Sequence, residues 1–196
     1  MTELPEDMLV EARAGLPDEL RYLVEQYPRE GWAAHHNVHG MASMWLQRHD
    51  FFRQQGSILN GAIADYREAR TDARQFAAFF APRLNNFLGH LDGHHNVEDH
   101  HYFPVFARVE PRLKRGFDIL DSDHHLIHDA LERNAETANA FLRALAENED
   151  RQRFAADAYA TENERLVAML SRHLDDEEDL IIPLILDRGD RELDGY

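Results

Sequence analysis

Residues 94–104 read HHNVEDHHYFP, with four histidines and two acids in their first eight positions. Such a cluster can be a solvated helix face, a pH-sensitive patch or a set of metal ligands. In a helix, His94 and Glu98 lie a turn apart on one face, so the imidazole could bind one metal while the carboxylate reaches a second. His124 and His128 have the same separation.

A second stretch bears on the choice. When His94 is laid on His173, Glu98 falls on Glu177, Asp99 on Glu178 and Pro104 on Pro183, within HLDDEEDLIIP at 173–183. The same shift carries RHDFF at 48–52 onto IHDAL at 127–131, so His49 matches His128. The two halves read as copies of one helical hairpin.

The elements that would position these groups are helical. Apolar residues recur at helical spacing nearly everywhere, and glycine and proline are few. Four long helices are expected, at roughly 32–69, 72–103, 117–147 and 151–182, with turns near Thr71-Asp72 and at Asn148-Glu149-Asp150. Short turns make antiparallel hairpins. His49 and His94 are equidistant from the first turn; His128 and His173, like His124 and Glu177, are equidistant from the second. Each pair therefore shares a level.

Alternating steps of four and three put Phe80, Leu84, Phe87, Leu91, His94, Glu98 and His101 on one seam. Leu166, Leu170, His173, Glu177, Leu180 and Leu184 form another, and His49, His124 and His128 interrupt the remaining two. The expected fold is all-α: an antiparallel up-down four-helix bundle over residues 32–187. A short N-terminal helical extension (1–31) stands outside it, and a C-terminal tail (188–196) follows.

Burying carboxylates and imidazoles without partners would cost several kcal/mol each, so something must compensate them. Mutual hydrogen bonding is one solution and a bound metal pair the other, the second favoured by the repeat. The converging groups are then His49, His94, His124, His128 and His173, with Glu98 and Glu177 as bridges. Nitrogen and oxygen donors without sulfur suit iron, with manganese or zinc as weaker alternatives.

Composition narrows the partners. With 37 acids against 21 bases and a formal charge of -16, no basic footprint exists for nucleic acid or an anionic membrane. The absence of cysteine excludes disulfides, thiolate zinc sites and iron–sulfur clusters. An acidic start without an apolar h-region, and no long apolar run, lead to the expectation of a cytoplasmic protein.

On RHDFF, HHNVEDHHYFP, DHHLIH and HLDDEEDLIIP, residues 40–187 resemble the hemerythrin-like (HHE) domains. The resemblance implies a four-helix bundle around a non-haem di-iron centre, bridged by an oxo or hydroxo group, that binds dioxygen or senses oxygen, iron or nitrogen oxides. Five histidines, two bridging carboxylates and that bridge would leave one position open on two six-coordinate irons. Turnover of nitric oxide or peroxide, or iron storage, would use the same ligands, and a sensor would need a protein partner for its output.

The chain departs from a seven-ligand scheme by carrying surplus histidines. His90, His95, His100, His101 and His125 lie within a turn of a proposed ligand, and His101 or His95 could fill the open position. Leu180 stands where the repeat would put a counterpart of His101, which argues against a ferritin-like pair of ExxH units. Trp45 falls where His124 stands in the other half and is a candidate pocket residue. His35, His36 and His39 lie about 15 Å of helix before His49 and read as an end-of-bundle patch.

Overall fold

The computed structural model describes residues 4–193, and all regular structure among them is helical. Short helices α1 (Tyr22–Gln26) and α2 (Arg29–Trp32) precede α3 (Met41–Arg67) and α4 (Ala73–Val97). A π-helical turn, Glu98–Tyr102, leads directly into α5 (Phe103–Val109). Then come α6 (Lys114–Ala144), α7 (Glu149–Arg188) and the short α8 (Asp190–Leu193).

Capping explains where the long helices start. Asp72 Oδ1 accepts the Gln75 backbone N–H at 2.8 Å before α4, and Asn148 Oδ1 accepts that of Arg151 at 3.0 Å at the start of α7. Both caps lie in the expected turns and satisfy N–H groups that have no partner within the helix. Pro183 does not end α7, which runs six residues further than the pattern suggested, to Arg188.

The π turn is the main departure from regular spacing. It inserts one residue into the helical path, so after Leu91, His95 and Glu98 the next buried position is Phe103, five residues on, and then Phe106. A seam continued at steps of three and four would have selected His101, which is instead exposed.

The described chain divides into two compact units. One comprises Phe51–His94 and Leu126–Met169; its centre is aromatic, with Phe76 stacked on Phe80 at 4.7 Å and Phe80 edge-on to Tyr159 at 5.2 Å. The other holds the residues up to Asp50, His95–His125 and those from Leu170 on. Its core packs Met41, Ala42 and Trp45 of α3, Phe103 and Phe106 of α5, Phe117 and Leu120 of α6 and Leu180–Leu186 of α7.

Leu16, Leu20, Leu23, Val24 and Trp32 belong to this same core. The N-terminal extension expected to stand outside the bundle thus packs these side chains into the core of this unit. At the other end, Asp190 Oδ2 accepts the Met41 N–H at 3.1 Å and so caps α3. That carboxylate occupies the space a Cβ would need at Gly40, whose φ of +72° also favours glycine.

Candidate metal centre

Six residues of the second unit gather into two clusters. His95, His124 and His173 each bring one nitrogen within 4.8 Å of the others, and His49, Glu98 and Glu177 bring ligand atoms together by the same measure. The clusters adjoin: His173 Nε2 is 3.2 Å from Glu177 Oε2, His124 Nε2 is 3.6 Å from Glu98 Oε2, and His49 Nε2 is 3.4 Å from Glu177 Oε1. All six are buried, none more than 5% exposed.

Carboxylates fix the rings from behind. Asp99 Oδ1 lies 2.7 Å from His124 Nδ1, Asp123 Oδ2 lies 3.2 Å from His173 Nδ1, and Glu178 Oε1 lies 3.0 Å from His49 Nδ1. A carboxylate accepts, so each ring carries a proton on Nδ1, and when neutral, as it must be to bind a metal, it presents its Nε2 lone pair to the interior. His124 Nε2 and His173 Nε2 nevertheless approach to 3.1 Å. Two lone pairs that close repel unless a cation, proton or metal, lies between or beside them.

The electrostatics of the metal-free protein show protons filling that role. Burial works against a charge on His173, but Asp123 and Glu177 prevail and raise it to about 9. His124, by contrast, is lowered by burial despite Asp99. Burial pushes the Glu98 carboxyl well above the usual range, with Glu177 adding to the effect. Glu177 itself is held well below that range, because His49 and His173 overcome its burial. His173 thus favours its charged form and Glu98 leans toward its neutral one, the balance a bound cation would shift by supplying the positive charge itself.

Trp45 is 2% exposed, and its indole N–H donates to Glu177 Oε1. The role it fills is to hold a carboxylate. Its ring also contacts Tyr102 at 4.9 Å and Phe106 at 5.7 Å.

Among the described residues, no pair of carboxylates and imidazoles elsewhere combines this burial with this convergence, and the family comparison agrees with the geometry. The profile described as "Hemerythrin HHE cation binding domain" matches residues 40–185. The chain belongs to the hemerythrin HHE cation-binding domain family. Neither the search of curated proteins nor that of solved structures returned a match.

Within this hemerythrin-family site, several residues stand away from their expected places. His128 faces solvent, its side chain 56% exposed, with Nδ1 3.4 Å from Asp92 and Nε2 3.5 Å from Glu132. The buried face of α6 runs through Leu120, Ile127, Leu131 and Ala138. His124 lies at one edge of that arc, and His128 is about 40° further round, outside it. Matching His128 to His49 by the repeat therefore picks a position one turn too far along α6.

His95 takes the place left by His128. It is buried and stacks on His124, with ring centroids 4.0 Å apart and planes 9° from parallel. Its repeat counterpart is Leu174, a core leucine, so the three-histidine cluster breaks the symmetry of the two halves. His94 is half-buried, one turn before Glu98 on the same helical run, with its ring 5.0 Å from that of Phe52. His90, His100, His101 and His125 are exposed.

Residues that sequence reasoning did not single out do much of the orienting. Asp99 and Glu178 occupy matching repeat positions, each just after a proposed bridging glutamate, and both hold an Nδ1. That shared position was the available signal. Asp123, which precedes His124 but serves His173, and the arginines described below had none.

Proposed function

We propose that the chain is a non-haem di-iron protein, built on an antiparallel four-helix bundle, that binds or senses dioxygen or a related oxidant. His95, His124 and His173 would hold one iron, His49 and His94 the other, and Glu98 and Glu177 would bridge them. The pairing of imidazole with carboxylate and the absence of sulfur favour iron over zinc. When bound, the iron pair supplies the electrons for reaction with an oxidant.

One observation carries this reading: the Nε2 atoms of His124 and His173 face each other at 3.1 Å while both Nδ1 atoms are held by carboxylates. In the metal-free protein a proton on His173 relieves this contact; a metal would displace that proton and take up both lone pairs. The remaining residues supply orientation and seclusion. Trp45 fixes one oxygen of Glu177, which leaves the other directed at His173. The aromatic rings of Phe103 and Phe106 keep solvent from the same unit's interior. Three imidazoles serve one iron and two the other, so the His49/His94 position has more room for an outside ligand.

The test is to load metal-free protein anaerobically with ferrous iron, measure stoichiometry, then admit oxygen and follow the visible spectrum. Two irons per chain and a coloured product support the proposal; a visible band that vanishes under vacuum indicates reversible binding and one-way oxidation indicates sensing. Uptake of fewer than two irons, or no spectral response to oxygen, overturns it.

A further inference from the structure

Two of the carboxylates that orient ligand histidines are themselves held by arginines from the segment before α3. Arg13 is 6% exposed. Its Nη1 donates to Asp123 Oδ1 at 2.7 Å, its Nη2 to Asp123 Oδ2, and its Nε to Asp176 Oδ2 at 2.7 Å. Asp123 Oδ2 in turn accepts from His173 Nδ1. Arg29 repeats the arrangement on the other cluster: Nη1 donates to Glu178 Oε2 at 2.8 Å, and Glu178 Oε1 accepts from His49 Nδ1. Arg29 also donates from Nε to Asp179 Oδ1 and from Nη2 to the Asp175 carbonyl, both at 2.7 Å.

Both arginines lie outside the residues that the family profile matches, 40–185. We infer that Arg13 and Arg29 are positioning residues of the metal centre, acting through Asp123 and Glu178, and that the segment carrying them is a clasp on that centre. The inference rests on the di-iron reading of the same site.

The physical case is one of orientation. A buried carboxylate can rotate, and a rotated Asp123 would no longer keep the His173 proton on Nδ1 and the lone pair on Nε2. Arg13 grips both oxygens of Asp123 in the planar two-point geometry that only guanidinium offers, so rotation is blocked. Leu16, Leu20, Leu23, Val24 and Trp32 anchor the backbone between the two arginines in the core, and Arg172 Nη1 donates to the Ala14 carbonyl at 3.0 Å. Segment docking and ligand geometry are therefore coupled. Coupling is reciprocal: whatever factor docking adds to metal affinity, metal adds to docking.

The experiment measures ferrous affinity of the full chain anaerobically against a competing chelator, for the wild type, Arg13→Gln, Arg29→Gln, Asp123→Asn and the Arg13→Gln/Asp123→Asn double variant. Loss of a group that orients a metal-bound histidine typically weakens affinity about 10–100-fold, the loss expected for each arginine. In the Asp123→Asn background Arg13→Gln should add less than about threefold, because the path it works through is already cut. Trypsin cleavage after Arg21 and Arg29 should slow on iron loading in the wild type and respond less in Arg13→Gln.

A wild type that binds iron as proposed, with both single variants binding equally tightly, overturns the inference and leaves the di-iron reading intact. A full additional loss from Arg13→Gln in the Asp123→Asn background overturns it too, since general destabilisation would act in any background. If the wild type takes up no iron pair, the reading of the site fails first and the inference with it. Should Arg13→Gln not fold, Arg29, whose side chain is 40% exposed, carries the test through Glu178.

Discussion

Replacing Trp45 with phenylalanine removes one N–H and some ring volume from the centre of the site. The lost bond is to Glu177, a buried carboxylate that burial acts to raise but that His49 and His173 keep ionised. A hydrogen bond to a charged group contributes about 1.5–3 kcal/mol. The smaller ring adds roughly 1–2 kcal/mol for the space left behind. At about 2–4 °C per kcal/mol for a chain of this size, Trp45→Phe should lower Tm by roughly 5–20 °C in the metal-free protein.

Trp32 provides the internal comparison. It is also buried, at 5% exposure, but its indole N–H donates at 2.7 Å to the neutral Tyr27 carbonyl. The volume loss is the same in Trp32→Phe, whereas a neutral bond contributes only about 0.5–1.5 kcal/mol. Thermal unfolding of both variants, followed by circular dichroism with metal removed, should show Trp45→Phe falling clearly further. Equal drops, or a larger one for Trp32→Phe, would refute the assignment of a charged acceptor to Trp45.

Further outcomes follow from the same geometry. His95→Leu, which installs the residue found at its repeat counterpart, should reduce iron uptake from two ions per chain to one, whereas His128→Ala should leave uptake unchanged; elemental analysis after anaerobic loading reads both. Iron affinity should climb with pH. His173, though opposed by its burial, is lifted to about 9 by Asp123 and Glu177, so it carries a proton at neutral pH that iron must displace, and burial shifts the Glu98 carboxyl in the same direction. Calorimetry in buffers of differing ionisation enthalpy should detect the released protons, and an affinity flat from mildly acidic to mildly alkaline pH contradicts this. Asp72→Ala and Asn148→Ala should each cost about 1 kcal/mol through loss of a helix cap, and the two losses should add, as denaturant unfolding would show.

Much of this was legible in the chain before any coordinates. The caps at Asp72 and Asn148 fell in turns that polar residues had marked, and the two acids the repeat matches, Glu98 and Glu177, are both buried and bring their carboxylates together. What escaped were consequences of one irregular turn and one broken symmetry. A π turn shifts register by one residue, and nothing in the spacing of EDHHY distinguishes it from α-helix, so His101 looked inward when it points out. The copied hairpins differ at one level: His128, the counterpart of buried His49, faces solvent, and His95 joins His124 and His173 where its own counterpart is Leu174. Long-range ion pairs were invisible for a simpler reason. Arg13 reaches Asp123 across a separation of 110 residues, and no local pattern records such a contact.

The most direct measurement is an anomalous difference map at the iron edge from crystals of iron-loaded protein. Two adjoining peaks are predicted, one ringed by His95, His124 and His173 and the other by His49 and His94, with Glu98 and Glu177 touching both. A single peak, or peaks that leave those glutamates uncoordinated or recruit His128, would contradict the account.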